Sequence, residues 1–316
     1  MITEKQSNTL YVIKAFAILS VIAAHMPFGA QHPTADLVRN ALGQIGVIVF
    51  FIVSGFLYKR TFGDTKTFWI KKLKGIVIPW IIFSVITFAF SCVLSHSFYI
   101  ASLPKWILGF GTWYWFVPIL LICFALFKYL DNEVSLCLAV VLSAVSVILM
   151  SFGILKCNDL FTQYTNIFNW IGFFALGILL RKHEKLDSLL GVLPCSISAL
   201  LLVCFVTLSV WCKLDKSYIN YLSIPIEISG FITLLNISSL LKKSKLLMEI
   251  GKKSYFIYLI QMQVAGIINT RLPYTPLFFV LRPFIVLAVL YIAAFAISYI
   301  LRKIKLDKYA YIIALK

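Results

Sequence analysis

Acidic side chains are scarce in this sequence. Its 316 residues hold 12 Asp and Glu against 29 Lys and Arg, and charged residues of both signs amount to 13%. A soluble domain carries roughly a quarter charged residues, so the chain lacks the polar surface that water demands. Clustered cysteine is missing too. The seven cysteines (Cys92, Cys123, Cys137, Cys157, Cys195, Cys204 and Cys212) are scattered, mostly inside apolar runs, with no CxxC pair and no Cys/His grouping. Neither a disulfide framework nor a zinc site is expected, and no metal. No long linker, low-complexity tract or soluble module interrupts the chain, and the two halves show no inverted or tandem symmetry, which disfavours the common repeat-built transporter folds. Residues 1–316 read as one membrane domain.

What is present is apolar. Hydrophobic residues make up 61% and aromatics 16%, and the mean hydropathy is +0.95. Stretches of about 20 apolar residues, enough for a helix to cross about 30 Å of hydrocarbon, recur throughout. The sequence predicts an all-α, polytopic integral membrane protein with membrane lipids around it. Ten spans are predicted, near 9–29, 40–58, 75–95, 113–130, 134–155, 166–181, 189–212, 218–241, 254–271 and 276–301. The run Ala15–Ala24 resembles the core of a signal peptide, but a further apolar segment follows at once, so cleavage is not expected. The net charge of +17 sits in short gaps between spans rather than in stripes that track a phosphate backbone, so nucleic acid is not an expected partner. With the N-terminus inside, the cytoplasmic segments hold 22 of the 29 Lys and Arg. That asymmetry places both termini in the cytoplasm.

The first span carries Lys14 and His25, and ionisable groups inside a membrane are costly and usually functional. Eleven residues of helix advance about 16 Å and leave only about 20° of angular offset, so both side chains share one face. Two readings stand. The face runs along a cofactor stretched part-way across the bilayer, or Lys14 snorkels inward while His25 marks the outer end of the span. Ser54 and Gly55 either let helices pack closely or bring backbone near a ligand. Glu227 is a carboxylate within a span; it pairs with an intramembrane base, binds a substrate hydroxyl or holds a neighbouring helix. Arg282 reads as an interface anchor. Trp113, Tyr114 and Trp115 suit an outer aromatic belt or the border of a sugar site. His32, His96 and His183 fall in loops and are assigned no role.

Six segments in order carry a resemblance. They are Lys14 with His25, FFIVSGFLY (Phe50–Tyr58), FWIKKLKGIVIPW (Phe68–Trp80), Trp115–Phe116, FFALGILLR (Phe173–Arg181) and IGKKSYFIYLIQ (Ile250–Gln261). Together they resemble the motifs of the membrane acyltransferase-3 family. Two positions depart from its pattern. Gln261 stands where the family usually has histidine, and glutamine cannot take a proton near neutral pH. Lys14 replaces a frequent arginine, turning a bidentate phosphate clamp into a point charge.

The resemblance implies an O-acyltransferase of the bacterial cytoplasmic (inner) membrane. It would move an acyl group, usually acetyl, from cytoplasmic acyl-CoA (acetyl-CoA) to a hydroxyl of a cell-envelope glycan or lipid-linked sugar. His25 is then the base that takes the hydroxyl proton, a task suited to imidazole, with Glu227 as its polarising partner. Lys14, Lys71 and Lys72, together with Lys59, Arg60 and Lys74, form a cationic entrance for the CoA phosphates, and Ser54 lies along the pantetheine arm. Positive-inside sorting alone also accounts for the same lysines. Trp115 and Gln261 fall on the acceptor side. Without an appended extracytoplasmic hydrolase-like domain, direct transfer inside the membrane domain is expected. The rival expectation is a transporter of a small molecule; a non-catalytic assembly protein would leave the Lys14/His25 spacing unexplained. The sequence leaves open whether copies associate as a homo-oligomer.

Overall fold

The computed structural model describes residues 2–25, 33–39, 43–58, 65–97, 99–158, 162–212 and 220–315, and among these the regular structure is helical throughout. Helix α1 (Glu4–Ala24) starts where it does because Thr3 closes a capping box with Gln6. Each side chain accepts from the other's backbone N–H, at 3.2 and 3.1 Å, satisfying two orphan donors of the first turn. Helices α2 (Pro33–Leu37), α3 (Ile45–Phe56), α4 (Thr65–Lys72) and α5 (Ile78–Ser95) follow, then α6 (Leu103–Leu108), α7 (Phe116–Tyr129) and α8 (Glu133–Ser151). The remainder is α9 (Ile171–Lys182), α10 (Val192–Trp211), α11 (Ser223–Leu240), α12 (Lys245–Lys252), α13 (Ser254–Arg271) and α14 (Pro276–Lys303).

A helix lies over each of the ten predicted segments, but ten membrane crossings do not follow. Among the described residues, six helices are long and apolar enough to cross a membrane: α1, the run Thr65–Ser95, α8, α10, α11 and α14. The pair Ile100–Leu108 and Trp113–Tyr129, bent by 49°, makes a seventh if counted as one span. Helix α3 has 12 residues and reaches only about 18 Å, and α9 is equally short. The outward face is apolar all the same. Along α10 only 6% of the membrane-length window is buried, and Val192, Leu200, Val203 and Trp211 are exposed, as a lipid-facing helix requires. The chain is a multi-pass membrane protein.

Helix α1 is the opposite case. With 61% of its window buried, it packs against α3, α11, α12, α13 and α14. Glycines set how close these neighbours come. A Cβ on Gly55 would strike the Phe174 carbonyl, and one on Gly177 would strike the Ile52 carbonyl. Helices α3 and α9 therefore meet backbone to backbone, the small-residue packing that lipid-embedded helices use in place of a hydrophobic drive. Gly46 sits in the same way against Ala17 and Val21 of α1, and Gly251 of α12 against Tyr11.

Two expectations need correction, for the basic stretch and for Tyr114. The basic stretch before the third span is helix from Thr65 onward, joined to α5 through a π-turn at Leu73–Val77. Arg282, read as an interface anchor, is fully buried against the protein. Its Nη2 donates to Leu272 O and Pro273 O, at 2.8 and 2.9 Å, just past the C-terminal end of α13, where carbonyls lack helical partners. Tyr114 is fully buried too, and donates its hydroxyl to Leu259 O at 2.9 Å, so it ties the start of α7 to α13 instead of joining an aromatic belt. Lys59, Arg60 and His32 lie outside the described residues.

Because neither glycine has room for a side chain, Gly177→Val should lower stability by about 2 kcal/mol or more, the cost of overpacking. Thermal unfolding in detergent, compared with Gly266→Ala, whose added Cβ meets open space, checks this.

Candidate active site

Three cavities adjoin in series, the second and third of them against one strip of α1. The first is a basic mouth of about 620 Å³ lined by Lys71, Lys74, Lys252 and Lys308 with Tyr255 and Tyr311. It shares Gly75 and Tyr255 with a middle cavity of about 230 Å³, where Lys14 and Ser54 lie among Phe50, Phe116 and Tyr258. The middle cavity in turn shares Val21 and Val47 with an outer cavity of about 760 Å³ that holds His25, Arg39, Gln44, Trp113, Trp115 and Tyr164. Positions 14, 21 and 25 of a helix fall within one narrow face, and each of the three residues there lines part of this series.

The mouth is built where the π-turn Leu73–Val77 interrupts the regular ladder. Such turns re-aim a helix and are frequent at functional sites. Ile76 O accepts the Tyr255 hydroxyl at 2.8 Å, which anchors the turn to α13. The 3₁₀ segment Asp307–Ile313 packs back on this region and brings Lys308 and Tyr311 to the opposite wall. Lys252 pairs with Glu249 at 2.8 Å, and Lys253 with the same carboxylate at 3.0 Å. The hydrogen bond from Lys252 holds the Glu249 carboxyl below its ordinary range, against a smaller opposing effect of burial. The Tyr11 ring lies between two ammonium groups, 4.6 Å from Lys14 Nζ and 5.6 Å from Lys252 Nζ, a cation–π arrangement that steadies both.

The structure sorts the sequence candidates. Lys14, Ser54 and Lys71 line the mouth or the middle cavity, and His25 and Trp115 line the outer one. Lys72 does not join Lys71. Because the segment is helical, neighbouring residues point about 100° apart, and Lys72 Nζ instead lies 3.4 Å over the Phe124 ring. Glu227 is buried, and its Oε1 has no hydrogen-bond partner. It lines none of the three cavities, and Gly230, one turn further on, is closed off by the Ile45 side chain. Gln261 is likewise buried with neither amide atom paired, and its neighbour Met262 reaches the outer cavity in its place. Gly55 serves packing, whereas Ser54 beside it faces the cavity.

Sequence reasoning missed Lys252, Lys308, Tyr255 and Tyr311 at the mouth, and Arg39, Gln44 and Tyr164 outside. For Lys252 and Tyr255 a signal existed, since both lie in the segment IGKKSYFIYLIQ. For Lys308 the only signal was a basic tail that sorting already explained.

A family model described as an acyltransferase domain matches residues 8–303. The chain belongs to the acyltransferase-3 family. No curated protein and no solved structure matches it. Family membership makes acyl transfer the coarse activity to explain.

Glu249 offers a check on the mouth. A carboxyl held below its unfolded range stabilises the fold above that range and loses the contribution as pH falls through its folded value. The wild type should therefore show a small acid-side loss of thermal stability that Glu249→Gln lacks, small because the pair is solvent-exposed.

Proposed function

We propose that the protein is an acyl-CoA-dependent O-acyltransferase, acting with acetyl-CoA on a hydroxyl of a cell-envelope glycan or lipid-linked sugar in the bacterial inner membrane. Ten helical segments with both termini cytoplasmic complete this reading and turn the lysine-rich mouth toward the cytoplasm. One observation carries it. The three cavities adjoin in an order that matches the parts of the donor: cations first, a narrow chamber next, a histidine and aromatic rings last.

Phosphates of the donor meet Lys71, Lys74, Lys252 and Lys308, whose ammonium groups give charge-assisted hydrogen bonds. The pantetheine arm passes Lys14 and Ser54. Lys14 lies about 16 Å along the helix from His25, so it holds the donor and is not the acid or base at the reacting carbonyl. His25 takes the proton of the acceptor hydroxyl while that oxygen attacks the thioester carbon. The C–O bond forms, the C–S bond breaks, and the imidazolium returns its proton to the departing thiolate. Trp115, whose ring lies 4.8 Å from Trp170 and 5.4 Å from Tyr164, offers a flat face to a sugar. Glu227 acts at a distance, as a structural carboxylate of α11, in this scheme.

The test follows label from [¹⁴C]acetyl-CoA into the glycan fraction of membranes containing the protein. His25→Ala should lower transfer by about 100-fold or more, the usual scale of a lost general base. Lys71→Ala and Lys74→Ala should raise KM for acetyl-CoA with kcat little changed, while Lys72→Ala leaves KM where it was. Full activity in His25→Ala would sink the mechanism. A carrier of a small molecule is the second reading, favoured by the same end-to-end run of cavities; substrate counterflow without acetyl transfer would put it first.

A further inference from the structure

The middle and outer cavities meet at two side chains, Val21 of α1 and Val47 of α3, and both line both chambers. Both are short, β-branched and little exposed. Val21 is 2% exposed and Val47 9%, and a Cβ added to Gly46 would meet Val21 Cγ2 at 2.7 Å. Valine has one strongly preferred χ1 rotamer in a helix. The two helices are themselves held close by the Gly46 contact, and α3 is clamped on its other side by the Gly55–Gly177 contact with α9. A close-packed interior of this kind does not dilate freely. Beyond the pair, the outer cavity is about three times roomier than the chamber before it, 760 against 230 Å³.

We propose that Val21 and Val47 form a fixed constriction that selects acyl donors by girth, passing straight acyl groups and refusing those branched at the carbon next to the carbonyl. The inference rests on the acyltransferase reading and adds the specificity determinant of its donor. With the phosphates held at the mouth, the acyl end leads. It must pass between the two valines before its carbonyl can meet His25. A straight chain threads this gap end on. An isobutyryl group presents an isopropyl as wide as a valine side chain, to two stiff β-branched side chains on helices held close by glycine contacts. The limit lies in the constriction, because the chamber beyond has room for a larger group.

The experiment compares [¹⁴C]acetyl-CoA with [¹⁴C]isobutyryl-CoA as donors, in membranes carrying the full chain, and reads the ratio of label reaching the envelope glycan fraction. Wild type should favour acetyl strongly. Val47→Ala and, separately, Val21→Ala should raise the isobutyryl-to-acetyl ratio by about tenfold or more, the scale on which a removed methylene changes discrimination in an apolar pocket. Val47→Trp should block both donors while the membranes still bind labelled CoA, which separates a closed passage from a misfolded protein. Equal use of both donors by wild type, or an unchanged ratio in both alanine variants, overturns the constriction while leaving the acyltransferase intact. No acetyl transfer by wild type overturns the acyltransferase reading, and the constriction falls with it.

Discussion

An ammonium group inside a bundle of membrane helices costs several kcal/mol unless water or a partner reaches it. Lys14 faces that problem on the most enclosed of the six membrane-length helices among the described residues. Among the described residues no carboxylate pairs with it. Its partners are a tyrosine ring and a cavity that opens, through shared residues, toward the lysine-rich mouth. Much of the remaining architecture serves to keep that cavity open while closing everything else. Glycines bring α3, α9 and α12 into backbone contact, so the bundle is tight where no ligand runs. Along the strip from Lys14 to His25 the lining is instead aromatic and β-branched, with side chains that hold their shape.

The same constraint explains which parts of the fold could be read from sequence. Apolar runs locate helices because the bilayer leaves the backbone no alternative, and all ten predicted segments are helical. Run length was a weaker guide to crossing. Residues 40–58 read as a span, yet the helix there, Ile45–Phe56, is too short to cover the hydrocarbon alone. The charged segment Thr65–Lys72 reads as a gap between spans, yet it is helix, because packing of Phe68 against Tyr58 and Phe124 outweighs the modest propensity of its Thr, Phe, Trp and Ile. Hydropathy registers which solvent a residue prefers, and is silent on where a helix bends or continues.

Candidate residues divided along similar lines. Helical spacing placed Lys14 and His25 on one strip, and local periodicity would have separated Lys71 from Lys72 had the segment been read as helix. Glu227 and Gln261 were singled out for being polar in apolar surroundings. That property marks burial, and the direction in which a buried group points depends on neighbours far away in sequence. Lys308 was unreadable for a related reason: only the return of Asp307–Ile313 onto the π-turn brings it to the mouth.

The shortness of α3 has an electrical side. Where chambers enter a membrane protein from opposite faces, the conducting solutions approach each other and the transmembrane voltage falls over the dry material left between them. Under the proposed orientation that material is the pair Val21 and Val47 with the few side chains around it. A potential of 100 mV is worth about 2.3 kcal/mol for each charge moved through such a field. The donor's phosphates stay at the mouth, on the near side of the drop, and the acyl group that travels further is neutral. Donor loading would thus be insulated from the energised state of the membrane, even though it takes place in the region where the field is steepest.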